Sequence, residues 1–264
     1  MKFLTLIDFT DTAKIAVQQT IALAKLTSGS IKLGHVAAQG ITDEEENELY
    51  LGFEQWSKVV TEAGIHCEVV IGKGEFFNEA EFLVQRNKPD LVVVGNHGKK
   101  GLRQNLFGSN IFKLIQRLSC SSLVVNDHTQ VSAQGFMKAM ITIAPHADFI
   151  KKIHQSEVML NPSGKLVLLN VVKPGVTMDE QRTKNYRDAI RYLEGDSVSW
   201  EDQSIDSQHF SIGYSREIVE IAERENFDLI AIMSEILPGN RNFSTMDKEN
   251  IILNPDGIPV LCVK

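Results

Sequence analysis

The chain has 264 residues, 43% of them apolar, and a formal net charge of −7 at neutral pH. Its length suits one large domain or two ordinary ones, and its composition is that of a soluble globular protein. The negative charge excludes general nucleic-acid binding and anionic-membrane binding, since both need a basic face.

Phe3–Ile7 reads as a buried strand. Thr10 or Asp11 caps the helix that follows, whose apolar side carries Ala13, Ala16, Val17, Ile21 and Ala24. Ile31–Ala37 is a second strand. The acidic run Asp43–Glu46 opens a helix, where it suits the positive end of the dipole, and Leu49, Phe53, Trp56 and Val60 share one face. Ile65–Ile71 is strand three, followed by a helix through Phe76, Ala80, Leu83 and Val84. Leu91–Val94 is strand four; Ile111, Leu114, Ile115 and Leu118 stripe the last helix, and Ser122–Val125 is strand five. The second half follows the same order, with strands at Met140–Ala144, Lys165–Val172, Gln208–Ser211, Leu229–Met233 and Pro259–Val263. Its helix faces are marked by Tyr186, Ala189, Ile190 and Leu193, then by Ile218, Ile221 and Ala222.

Three runs recur at nearly one spacing. Asp90–Val94 matches Asp228–Ile232, and Leu123–Val125 matches Leu261–Val263, both at an offset of 138; Leu4–Leu6 matches Ile141–Ile143 at 137. Such self-similarity predicts two tandem domains, 1–130 and 137–264, joined by the polar stretch from Asp127 to Gly135. Apolar strands alternating with amphipathic helices predict a parallel sheet covered on both faces in each domain. The fold class is α/β, Rossmann-like, with five strands per sheet.

The segment from Val94 through Gly95, Asn96, His97 and Gly98 to Gly108, Ser109 and Asn110 joins a buried strand to a helix. It reads as an anion cradle. Gly95 and Gly98 bare backbone N–H groups, Gly108 does the same before the helix, and Ser109 is a good N-cap whose neighbouring amides can receive a phosphate. Lys99, Lys100 and Arg103 add positive potential. The same glycines also suit simple tight turns. In a sheet of order 3-2-1-4-5, strands one and four are neighbours at the switch point where ligands bind, so Asp8 is expected to face the glycine loop. Asp8 also suits a cap for the following helix.

The spacing Gly95-x2-Gly98-x9-Gly108-Ser109 resembles the signature of ATP-binding universal stress proteins, and Ile7-Asp8-Phe9-Thr10 is similar to that family's Thr-Asp-Phe-Ser segment. The resemblance covers the whole chain, weakly in the second half. It implies HUP-type domains and bound ATP with Mg2+. Asp8 and Val36, after His35, match positions around adenine; Gly95, His97 and Gly98 match the loop near ribose and phosphates; Gly108, Ser109 and Asn110 match the phosphate-binding helix start. Leu6 stands where many members have Pro.

The second half departs further: Pro145 falls at the Asp8 position, and Ser234 to Asn240 lacks the spaced glycines, with Glu235 bringing negative charge. This half is expected not to bind ATP in the usual way. It is expected to act as an intramolecular pseudo-dimer partner, with Ser122–Val125 pairing with Pro259–Val263; whether whole chains form a homodimer stays open. The start, MKFLTLIDFT, lacks the apolar core and cleavage site of a signal peptide, and no apolar run nears the roughly 20 residues of a membrane span, so the protein is expected in the cytoplasm.

No GxxxxGK[ST] or GxSxG motif occurs. Cys67, Cys120 and Cys262 form no CxxC pair and read as buried reduced thiols. His146 and His154, eight apart, read as exposed residues on a helix, and no metal site is predicted. Trp56 and Trp200 read as core or interface residues. Three functions remain: an ATP-binding stress or signalling protein, a slow ATPase or nucleotidyl transferase, and a ligand-free scaffold.

Overall fold

The computed structural model describes residues 1–97, 110–207, 213–238 and 244–264. The chain divides into two units, Met1–Gln134 and Gly135–Lys264. In the first unit, β1 (Lys2–Leu6), α1 (Asp11–Leu26), β2 (Ser30–Ala37), α2 (Asp43–Glu62), β3 (Cys67–Lys73), α3 (Phe76–Asn87), β4 (Leu91–Asn96), α4 (Ile111–Arg117) and β5 (Ser122–Asn126) follow one another. All neighbouring strands run parallel in the order β3-β2-β1-β4-β5. Strands β4 and β5 are buried along their whole length because their runs of Val and Leu are covered on both faces. Each such side chain removed from water contributes roughly 1.5–3 kcal/mol. Right-handed crossovers put α1 and α2 on one face, α3 and α4 on the other.

The second unit runs β6 (Phe136–Thr142), α5 (Ile150–Glu157), β7 (Leu160–Val172), α6 (Glu180–Glu194), β8 (Ser199–Asp206), α7 (Ser215–Arg224), β9 (Leu229–Met233), α8 (Thr245–Ile252) and β10 (Val260–Val263). Its parallel order, β8-β7-β6-β9-β10, repeats that of the first unit. The two-fold repetition of one α/β plan therefore stands. One strand needs correction: the run Gln208–Ser211 lies outside the described residues, and the strand beside β7 is β8, Ser199–Asp206. It is an edge strand, half wet along its length, so its sequence carries Glu, Asp and Ser instead of an apolar run.

Two sequence expectations about side chains also change. Only Cys262 is buried; Cys67 and Cys120 are partly exposed. His146 lies in the turn after β6, not on a helix, and is buried, while His154 sits on α5. Among the described residues no helix is long and apolar enough to cross a membrane.

Candidate functional site

The site begins where β1 ends. Ile7 still bonds to β2, its N–H donating to the Gly34 carbonyl at 2.8 Å, and then the chain turns sharply at Phe9, whose φ of 60° is left-handed. A non-glycine residue holds that conformation only when its surroundings enforce it. Here the Phe9 ring is clasped by His35 (5.3 Å between centroids), Phe53 (5.3 Å) and Trp56 (5.5 Å). Gly52 makes room for it: a Cβ there would stand 2.8 Å from the ring. A helix-interior glycine costs about 1 kcal/mol against alanine, so α2 gives up propensity to seat this ring.

The turn sets Asp8 and Thr10 side by side. The Thr10 hydroxyl donates to Asp8 Oδ1 at 2.6 Å and accepts from the Ala13 N–H at 3.3 Å, so Thr10 is the N-cap of α1. Across the switch point β4 delivers His97. Its Nε2 lies 2.8 Å from Asp8 Oδ2 and 2.9 Å from Thr10 Oγ1. Since the Thr10 hydroxyl already donates to Asp8, Nε2 carries the proton and donates to both oxygens. Burial alone would raise the Asp8 carboxyl, but the hydrogen bonds from His97 and Thr10 outweigh it and hold the pKa below its ordinary value. Asp8 is therefore an ion held on one oxygen by Thr10 and on the other by His97. It does not itself cap α1; it orients the residue that does.

His35 donates from Nδ1 to the Ile7 carbonyl at 2.7 Å. Burial lowers its pKa, against the opposing pull of that bond and of Asp8, so at neutral pH the ring is uncharged. Asp8, His97, His35, Val36 and Trp56 line one open crevice of about 1120 Å3, a size that admits a nucleotide. On the other side of Asp8 and Val36 lies a cleft lined by Leu6, Gly34 and Phe76, too tight for a water molecule. Leu6 is one of the residues that close it.

The remaining predicted residues separate. Val94 is wholly buried in β4 and belongs to the core. Gly95 is glycine for packing: a Cβ would press at 3.0 Å on the backbone of Thr12, in the first turn of α1. Asn110 occupies the N-cap position of α4 without a side-chain cap bond. Gly98, Gly108 and Ser109, with Lys99, Lys100 and Arg103, lie outside the described residues. His35 and Trp56 are crevice residues that sequence reasoning missed. The available signal was Gly52, out of place in mid-helix and one residue before Phe53. Among the described residues no group of three or more His, Cys, Asp or Glu is placed to hold a metal ion.

Comparison with known proteins decides the family. The model of the universal stress protein family matches residues 1–126. Through its first half, the chain belongs to the universal stress protein family. The universal stress protein YxiE of Bacillus subtilis (strain 168) is 25% identical over 144 residues, which cover 47% of this chain and 97% of that one. A universal stress protein structure from Archaeoglobus fulgidus matches all of this chain and 96% of its own, with a TM-score of 0.76 and 15% identity. Protein PA1789 of Pseudomonas aeruginosa PAO1 matches all of this chain and 92% of its own, with a TM-score of 0.64 and 12% identity. At such identities these two structures establish the fold of both halves and nothing more.

The second unit treats its own switch point differently. His146 Nε2 donates to the Glu235 carbonyl at 2.8 Å, and the Lys248 ammonium donates to the same carbonyl. Lys152, fully buried, donates to the carbonyl and hydroxyl of Thr142 at the end of β6. Burial drives the Lys152 pKa well down, and brings Lys248 to about 8 and His146 to about 4. The Glu235 side chain itself is exposed; its backbone does the work at this site.

Proposed function

We propose that the first domain binds ATP, with Mg2+, in the crevice at the carboxyl ends of β1, β2 and β4, and that the protein acts in stress response by binding and not by turnover. The observation that carries this reading is the Asp8–His97 bond. It joins the two strands that part at the switch point, beneath an open crevice walled by Val36, where the Gly95-x2-Gly98-x9-Gly108-Ser109 spacing begins. In this reading Val36 and Asp8 flank the base, His97 and Gly98 lie along the ribose and phosphates, and Gly108, Ser109 and Asn110 offer amides to the polyphosphate. Bound Mg2+ would supply charge neutralisation between phosphate oxygens.

A binding role also fits the state of the two titratable groups. Hydrolysis needs a base free to take a proton. Asp8 has its oxygens occupied by Thr10 and His97, and His97 Nε2 is a donor to Asp8. The second unit is proposed as a structural partner that does not take ATP. Three free cysteines suit a reducing compartment, and a cytoplasmic setting is part of the proposal. Calorimetric titration with ATP and Mg2+ tests the binding. A saturable signal supports it; a flat one overturns it. Steady-state phosphate release at enzymatic rates would replace the binding role with an ATPase.

A further inference from the structure

We propose that the outer face of α1 and α2 in the first unit is a docking groove for an amphipathic helix of a partner protein, one whose apolar stripe is bordered by lysine or arginine. The groove is separate from the nucleotide reading above, and each stands or falls without the other.

On α2 the residues Glu48, Leu51, Gln55, Val59 and Glu62 recur at steps of three and four, so they lie along one face of the helix, and all five are exposed. Leu51 is 65% exposed and Val59 48%. Val59, Trp56 and Gln55 of α2, with Lys14, Val17 and Gln18 of α1, line a groove of about 220 Å3. The fold does not demand this exposure. α6 holds the same place in the second unit, between β7 and β8, and among the described residues it exposes no large apolar side chain. It carries four lysines and arginines against three carboxylates.

Charge selects the occupant. α2 carries seven carboxylates and a single cation, Lys58. Two of the carboxylates in its first turn have local work: Glu45 closes the capping box, and Glu46 pairs with Lys73 at 2.9 Å. Glu48 and Glu62 instead bracket the exposed stripe, and Lys58 offsets Glu62 only at 3.8 Å. Pairing of α2 with the α2 of a second copy would set carboxylates against carboxylates, and an anionic membrane would be repelled in the same way. A helix with apolar residues at steps of three and four fills the groove beside Leu51 and Val59, and cations flanking its stripe answer Glu48 and Glu62. The groove's own cation, Lys14, sits on the α1 wall, so the basic side of the incoming helix turns toward α2.

The test uses the full chain and a synthetic helical peptide of about 18 residues, close to the length of α2, made of leucine at helical spacing and lysine elsewhere. The peptide has no tryptophan, so Trp56 reports binding by its emission, and Trp200, on β8 of the second unit, is the internal control. The peptide is expected to bind saturably and to change the emission. Affinity should fall by about tenfold or more when glutamate replaces lysine in the peptide, and by a similar factor in the double variant Leu51→Lys, Val59→Lys. Both residues are exposed, so the variant is expected to fold, which circular dichroism checks. Neither residue lines the nucleotide crevice, so a loss in this variant locates the peptide in the groove. No binding, binding that leaves the emission unchanged, equal affinity for the two peptides, or unchanged affinity in the variant overturns the proposal. So does a dimer of the unmodified chain that the variant dissolves in sedimentation, since the occupant would then be a second copy. Should the variant fail to fold, the comparison of the two peptides on the unmodified protein decides.

Discussion

At the carboxyl end of the first sheet, Asp8 and His97 join β1 to β4 side chain to side chain, and the crevice above them is open. Near the same place in the second sheet, His146 and Glu235 likewise join their strand ends, at the same 2.8 Å, although strand register puts Ala144, not Pro145, at the position of Asp8. The partners have changed kind. A histidine now donates to a backbone carbonyl, Lys248 from the first turn of α8 donates to the same carbonyl, and Lys152 from α5 donates to that of Thr142. The fold keeps a bond between the two parting strands in both units. What a ligand meets there depends on the residues around it, and the second unit satisfies its strand-end carbonyls with its own side-chain donors.

Several changes break or sharpen this contrast. The largest effect is expected from Gly108→Asp, which puts bulk and negative charge where a polyphosphate is proposed to sit; ATP affinity measured by calorimetry should fall more than about 100-fold. Next is a pH effect in the second unit. His146 has a folded pKa of about 4 against 6.5 unfolded, so the unfolded chain takes up the proton first as pH falls. Stability is present above pH 6.5 and is lost as pH drops from 6.5 to 4, by up to about 3 kcal/mol. His35 acts with the same sign in the first unit. His146→Gln keeps a donor for the Glu235 carbonyl without a titrating ring, so denaturant melts across that range should show a shallower slope.

Asp8→Asn should cost about 1–3 kcal/mol of stability near neutral pH. Because the Asp8 pKa is lowered in the folded state, its contribution is fully present above pH 3.8 and is lost as pH falls through the folded value. Gly52→Ala tests the seat of Phe9. Helix propensity alone favours alanine by about 1 kcal/mol, yet the 2.8 Å approach to the ring predicts a net loss of roughly 1–3 kcal/mol and weaker nucleotide binding. Smallest of all, Glu235→Gln should leave ATP affinity unchanged, since that residue belongs to the second unit, which is proposed not to take ATP.

Much of the fold was legible because buried parallel strands are written as apolar runs. β4, β5 and β9 are readable on sight. β8 was not, because an edge strand has one wet side and its residues Trp200, Asp202 and Ser204 give no continuous signal. The neighbourhood of Asp8 and the β4 end followed from topology alone. The aromatic seat of Phe9 did not, because nothing in Asp8-Phe9-Thr10 announces a left-handed phenylalanine. His146 was misread for a related reason: its burial depends on Glu235, Lys152 and Lys248 arriving from other elements, which no local pattern records.

Native mass spectrometry of the intact chain with ATP and Mg2+ tests the central contrast most directly by counting nucleotides. One nucleotide per chain, lost in Gly108→Asp, is the predicted result. Two per chain, none, or one that survives Gly108→Asp would contradict it.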